Sequence, residues 1–546
     1  MKYTTKLILI LIFVTGCDES LLNENPPNLV TSQSLFRTRS GFENALSGLY
    51  SLVRGEKEGL GGSNALVADM TQNGTDNVVT NHQLSGFTRI AEQWGHINNP
   101  TESFYANVFT WLYGIINTSN NLITAANDAD DKILDDENRN MVIAEARAIR
   151  AWAYRHLTFG WGDVPLNLEP SSGVNIRSDW ERVPVATVRK QIISDLKFAE
   201  NFIPVEPQQA GKITKGAIQT YLAEIYLTIG KADSALFYAN TVINTPEYRL
   251  ITQRYGVSAS KPGVPFMDMF QDGNVNRSDG NTEGLWVFQF ERNSIGGGEN
   301  LMRRHHPSRY VNISIGGVSP LQITSERGGN GYGRMSLTKW AIDNYEPGDD
   351  RGSHFAIRKF FVLKNADENA PEPADRLPEG YHFGDTIFLD YSEDITASSR
   401  ARVDWPWSRK VDYADPVDVG GSPSYKDVTY LRLAETYFLK AEAQLALGDP
   451  DAAAGTINVI RGRANATPVT GEDVNIDFIL DERSRELLLE EHRRYTLLRT
   501  GKWMERTALH NRNGGQLISE KDKLFPVPQV VIDANINGEM PQNPGY

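Results

Sequence analysis

Apolar positions in the first half of the chain recur at a helical period. Phe42, Ala45, Leu49 and Leu52 fall three to four residues apart within 41–53, and Ser40 stands in front of them as a cap. The same spacing runs over 101–126 (Trp111, Ile115, Leu122) and 138–160 (Val142, Ala146, Ile149, Ala153, Leu157), then through 186–202 and 215–243. Between the first two helices, residues 54–100 are rich in Gly, Asn and Thr and predict long loops. From 250 to 425 the period is lost, and glycine clusters, prolines and scattered aromatics take over, with one buried-strand pattern at Leu285–Phe290. The helical period returns at 427–463 and again over 478–503, before a proline-rich tail to Tyr546. The pattern predicts a mostly-α chain. Its helical scaffold covers about 31–249 and 426–546, and a loop-rich insertion of about 250–425 carries the short strands and the ligand-binding candidates within one domain.

Two of these helical stretches resemble each other. With Gly230 superposed on Gly448, Ala223 meets Ala441, Glu224 meets Glu442, Leu227 meets Leu445, Asp233 meets Asp451 and Ala235 meets Ala453. Each copy reads as an apolar helix, a glycine break and a second helix opening on small residues, the second copy with Asp449-Pro450 as cap and first turn. That is the pattern of a tetratricopeptide-like helical hairpin, in which alanine faces allow close approach and neither helix buries its stripe alone.

Composition narrows the class. The chain has 546 residues, 40% hydrophobic and 23% charged, with a formal charge of −14. This describes a protein with a sizeable core and argues against nucleic acid as a partner. The single cysteine changes the picture at the N-terminus. Residues 1–16 have Lys2 and Lys6, an apolar run from Leu7 to Val14 and small residues before Cys17, the layout of a signal peptide. Val14-Thr15-Gly16-Cys17 also resembles a bacterial lipobox, so Cys17 is the expected lipidation site, and 17–30 with Pro26-Pro27 the expected tether. Each buried CH₂ of an acyl chain contributes about 0.8 kcal/mol to anchoring. Asp18 and Glu19 follow at once, an acidic start whose sorting meaning differs between bacterial phyla.

Candidate chemistry is sparse. GKITKG at 211–216 lacks phosphate-loop spacing, and neither H-E-x-x-H nor G-x-S-x-G occurs. No cofactor is predicted. Asp272, Asn274, Asn276 and Glu283 are spaced like the oxygens of a calcium loop, but Arg277 stands where such loops need glycine, and a polar turn competes with that reading. The acidic pairs Asp349-Asp350 and Glu490-Glu491 read as ion-paired surface rather than a glycosidase dyad. The cluster Arg303, Arg304, His305, His306, Arg309, Tyr310 follows a glycine run in an acidic chain. Guanidinium forks match carboxylates and sulfates, and a neighbouring aromatic stacks on a sugar face, so this loop is a glycan-binding candidate, against the plainer reading of a solvated basic loop. Trp94, outside any helical stripe, and Tyr332, between Gly331 and Gly333, are the other aromatic candidates. Trp111, Trp152, Trp286 and Trp503 fall in periodic segments and read as core.

Taken in order, the lipobox at Cys17, GFENALSGLY at 41–50, AEARAIRAWAYRHLTFGWGDVPL at 144–166, GKITKGAIQTYLAEIYL at 211–227, DVTYLRLAETYFLKAEAQLALG at 427–448, ERSRELLLEEHRRYTLLRTGKW at 482–503 and LFPVPQVVIDANINGEMPQNPGY at 524–546 resemble the SusD/RagB family of Bacteroidetes nutrient-binding lipoproteins. The resemblance implies a non-catalytic lipoprotein, anchored at the outer membrane and cell-surface exposed. It would capture an oligo- or polysaccharide and pass it to a SusC/RagA-type TonB-dependent transporter. The matching motifs are scaffold, so the ligand residues named above rest on their own chemistry. The arginine-rich loop suits an anionic, uronic or sulfated glycan; a neutral glycan or a peptide stays open. A structural adaptor without its own ligand and a surface glycosidase are the competing readings.

Overall fold

A computed structural model describes residues 32–59, 67–81, 86–171, 176–364, 376–396 and 403–546. The expected signal peptide, Cys17 and the whole of the expected tether at 17–30 lie outside the described residues. The long helices are α1 (Arg39–Arg54), then, after strand β1 (Val78–Thr80) and the short α2 (Phe87–Gln93), α3 (Ser103–Asp128), α4 (Asp136–Trp161), α5 (Val185–Phe202), α6 (Lys215–Thr228) and α7 (Ala232–Ile243). β2 (Gly284–Phe288), α8 (Met302–His305) and β3 (Met335–Leu337) follow in the insertion, with β4 (Phe360–Val362) and β5 (Thr386–Phe388). The chain then returns through β6 (Val428–Arg432), α9 (Leu433–Ala446), α10 (Pro450–Arg463), α11 (Ile476–Leu487), α12 (Arg493–Arg499) and α13 (Trp503–His510). The mostly helical class stands. Among the described residues, no helix is long and apolar enough to cross a membrane.

The first helix starts earlier than its apolar pattern. Thr38 Oγ1, not Ser40, accepts from Gly41 N at 3.1 Å, and Ser40 lies inside the first turn. Larger departures occur in the second half. Residues 428–432 form a strand, antiparallel to β2 with Val287 opposite Thr429 and Phe288 opposite Val428, so the second repeat opens on a strand rather than on its helix. The stretch 478–503, read as one helix, is broken into α11, α12 and the start of α13; Leu489 takes φ 64°, which ends α-helical propagation there. The 54–100 region is not all loop, for it contains β1 and α2.

The repeats keep their shared positions for identifiable reasons. Ala223, Ala441, Ala235 and Ala453 are all fully buried, where any larger side chain would separate the helices. Gly230 (φ 71°) and Gly448 (φ 83°) end their helices in the left-handed region. Asp449 caps α10 through Ala452 N at 2.9 Å. Glu224 accepts from Arg155 Nη2 at 2.6 Å, and Glu442 accepts from Arg499 Nη2 at 3.0 Å and from Arg483 Nη1 at 3.2 Å. Each repeated glutamate therefore anchors a helix from outside its own hairpin. Burial pushes Glu224 toward the neutral acid, but the Arg155 charge outweighs it and holds the carboxyl below its usual range.

The main apolar core runs from α1 and α3 through Trp152 and Trp161 of α4 to Trp286 of β2 and Phe525 of the tail. A smaller one joins Val78 and Val79 of β1, Met335 and Leu337 of β3, and Leu488. β1 and β3 pair antiparallel, with Val79 opposite Ser336. This pairing fixes the backbone immediately after Tyr332 and Arg334.

Candidate functional site

The insertion places two loop segments side by side, 303–309 and 331–334. Gly333 N donates to Pro307 O at 2.8 Å, and Arg334 N donates to His305 O at 2.8 Å. The approach is close enough that a Cβ on Gly331 would lie 2.3 Å from Pro307 O, which makes glycine a requirement there. The consequence is a cluster about one ring. The guanidinium carbons of Arg304, Arg309 and Arg334 lie 5.2, 5.4 and 5.6 Å from the centre of Tyr332. A hydrogen bond from the Ser422 side chain, helped by those three charges, holds the Tyr332 phenol below its ordinary pKa.

Arg304 and Arg309 are half-buried, and among the described residues neither has a hydrogen-bond acceptor or an ion-pair partner. The Nε of Arg304 is moreover closed off from solvent without an acceptor. In a chain of net charge −14 this is unusual, because most buried arginines here grip carboxylates. Arg432, for instance, reaches Glu283, Glu486 and Glu490. Two guanidiniums held beside an aromatic, with donors to spare, have the chemistry to meet a planar or tetrahedral anion. Arg334, buried beneath the ring, is the member of this cluster that sequence reasoning missed; its place two residues after Tyr332 in GGNGYGR was the available signal.

The other members of the basic loop turn inward. Arg303 is 1% exposed and donates to the carbonyls of Asn330, Gly421 and Pro423, so it ties the insertion together rather than facing a ligand. His306 is buried; burial, then the neighbouring His305 and Lys57 charges, push its pKa down to about 3, so it stays neutral and enclosed. Tyr310 is fully buried, its hydroxyl donating to Gly329 O at 3.0 Å and its ring 4.7 Å from Phe361 of β4. Trp94 is also corrected. It has no exposed surface, packs 5.5 Å from Trp503 and lies beneath the Arg494 guanidinium at 5.7 Å, so no sugar reaches its faces.

The calcium-loop reading fails on the state of its oxygens. Asn274 accepts from Val257 N at 2.9 Å, and Asn276 accepts from Gln289 at 2.7 Å. Glu283 is buried between Arg463 at 2.7 Å and Arg432 at 3.0 Å, a place already held by positive charge. Asp272 is exposed, which leaves no converging oxygen cage. Of the acidic pairs, Asp349 is held by Arg351 at 2.7 Å, Glu490 by Arg432 at 2.5 Å and Glu491 by Arg483 at 2.7 Å, while Asp350 accepts from Asn465 at 2.8 Å; Asp349 and Glu491 are buried, not the surface positions expected.

Among the described residues, the ligand atoms of Glu56, His156 and His492 lie within 4.8 Å of one another. The Lys57 ammonium is 3.1 Å from Glu56, and Arg155 Nη1 is 2.7 Å from His492 Nδ1, so the local positive charge is already supplied and one imidazole nitrogen is engaged. The group fits a buried polar network joining α4 to the turn after α1 and the residue before α12, not a metal centre.

A helical-hairpin scaffold that carries a cluster of guanidiniums about an aromatic ring on its loops is the arrangement to be matched with known proteins. The comparisons place the chain more narrowly. A model of the SusD family matches residues 282–546, and a second, described as starch-binding associating with outer membrane, matches 35–227. The chain belongs to the SusD/RagB family. It is 25% identical to SusD-like protein P2 of Formosa agariphila over the whole of both chains. It is 36% identical to the starch-binding protein SusD of Bacteroides thetaiotaomicron over 22% of each. Among solved structures, a laminarin-binding SusD-like protein superposes with a TM-score of 0.69 at 21% identity, covering 93% of this chain and 100% of that one. Surface glycan-binding protein A from Bacteroides fluxus does so with a TM-score of 0.67 at 18% identity, covering 93% and 100%.

Proposed function

We propose that this protein binds an anionic oligo- or polysaccharide at the Arg304–Arg309–Tyr332 cluster and passes it, without cleaving it, to a TonB-dependent SusC-like transporter in the outer membrane. A lipid on Cys17 would hold it there, facing the cell exterior. The observation that carries the reading is the pair of guanidiniums beside Tyr332 with no acceptor among the described residues. A uronate carboxylate or a sulfate ester would supply the missing acceptors bidentately. Family membership and the glycan-binding names of its relatives support the carbohydrate class and the membrane setting. With Trp94 and Tyr310 enclosed, charge rather than a broad stacking platform selects the ligand. The test is affinity electrophoresis of the purified protein against matched anionic and neutral polysaccharides. Retardation by the anionic set, lost in Arg304→Ala, is expected; no retardation by any glycan would favour the adaptor reading, and release of reducing ends would overturn the absence of catalysis.

A further inference from the structure

A second site lies on the helical scaffold and shares no residue with the first. Where the ends of α4 and α6, the start of α5, helix α12 and the C-terminal tail meet, a cleft encloses about 490 Å³. Arg189, Arg499, Lys521 and Lys523 line it, against one acid, Glu520. Three of the four cations are committed. Arg499 grips Glu442, Lys521 donates to Asp522 at 2.9 Å and to the carbonyls of Gly95 and Asn98, and Lys523 pairs with Glu520 at 2.7 Å.

Arg189 is different. It has no hydrogen bond or ion pair among the described residues, and its Nε is closed off from solvent with no acceptor. Its guanidinium sits 5.9 Å above Phe159, which is itself held in a flat stack on Tyr495 at 4.7 Å. The floor is therefore rigid, and the arginine is held over it by packing. Elsewhere in this chain Arg155 and Arg499 each grip a glutamate; the cleft offers Arg189 none.

We propose that this cleft binds a carboxylate, with Arg189 as the gripping fork and Lys521 and Lys523 supplying the attractive field. The carboxylate is either the end of a partner polypeptide or a free small acid. The site stands independently of the glycan reading. Isothermal titration of the purified protein with succinate, with a pentapeptide bearing a free C-terminal carboxylate, and with the same peptide amidated distinguishes the sources. Binding by succinate equal to that of the peptide assigns a free acid; tighter peptide binding that amidation abolishes assigns a polypeptide terminus. In either case Arg189→Met should weaken binding at least about tenfold, since a charge-assisted bidentate contact is lost. Because the Tyr332 cluster also suits a carboxylate, each titration is repeated with Arg304→Ala, in which the Arg189-dependent binding should persist. Thermal unfolding checks that Arg189→Met is folded. Should it not fold, the exposed Lys523→Gln serves, with a loss of a few-fold that added salt reproduces. No carboxylate binding below about 10 mM, or binding indifferent to Arg189 and Lys523, would overturn the proposal.

Discussion

Asp76 offers a quantitative test of how the scaffold holds the insertion. It is fully buried just before β1, and its carboxylate accepts from Arg493 Nη2 at 2.6 Å and Nε at 2.8 Å, and from Arg506 Nε at 2.8 Å. Burial alone would raise its pKa, but the Arg493 charge and hydrogen bonds, then those of Arg506, override that and lower it from 3.8 to about 2. At about 1.4 kcal/mol per unit, the ionised form is favoured in the folded protein by roughly 2 kcal/mol. Asp76→Asn removes the charge, keeps the shape and turns an amide toward two guanidiniums, so it should cost at least that much. The upper bound is about 3–5 kcal/mol for removing one partner of a buried ion pair. The folded pKa lies below the unfolded one, so the contribution is fully present above the unfolded value of 3.8 and is lost as pH falls through about 2. Denaturant unfolding of both proteins at pH 7 should show the deficit, and it should begin to narrow below pH 4. Because β1 pairs with β3, and β3 follows Arg334 directly, the variant should also weaken ligand binding at the Tyr332 cluster. Equal stability at pH 7, or a deficit that does not narrow in acid, would mean that Arg493 and Arg506 do not hold Asp76 ionised at a gain in stability.

Trp94→Ala should destabilise by about 3–5 kcal/mol, because it empties a fully enclosed site against Trp503, while the remaining folded protein keeps its glycan affinity; thermal unfolding and titration separate the two. Gly448→Ala meets no atom within 4 Å, so only the left-handed backbone opposes it, at about 1 kcal/mol measured by unfolding. Ultraviolet titration of tyrosinate should show Tyr332 ionising below the bulk of the tyrosines; the signal should disappear in Tyr332→Phe and move upward in Arg304→Ala, where one of its neighbouring charges is gone. An unmoved titration in Arg304→Ala would remove that residue from the cluster.

How much of this was legible in the chain depends on what kind of force sets each feature. The helices of the first half follow from apolar spacing, which one face of burial imposes and which survives in sequence as a period. The shared Glu224 and Glu442 were visible as a coincidence; their meaning was not, since Arg155 and Arg499 reach them from other helices. The strand 428–432 reads as the start of a helix because its partner β2 lies more than a hundred residues away, and no local pattern encodes that pairing. At the candidate site, residue types pointed to the basic loop and to Tyr332, which the structure brings together, but not to which side chains face out. Arg303 and Arg304 are neighbours on the short helix α8, and the turn of that helix alone sends one into a cage of carbonyls and leaves the other beside Tyr332. Trp94 misled for the converse reason: it lies outside a helical stripe, yet packing from α12 and α13 encloses it.

Ligand selection by the charges of Arg304 and Arg309 is the proposal on which the functional reading rests. Titration of the protein with one polysaccharide in its acidic form and in a carboxyl-reduced or desulfated neutral form, at low salt and at about 0.5 M salt, tests it most directly. The anionic form should bind at least about tenfold more tightly, a gap that closes as salt screens the guanidiniums. Equal affinity for the two forms at both salt concentrations would contradict it.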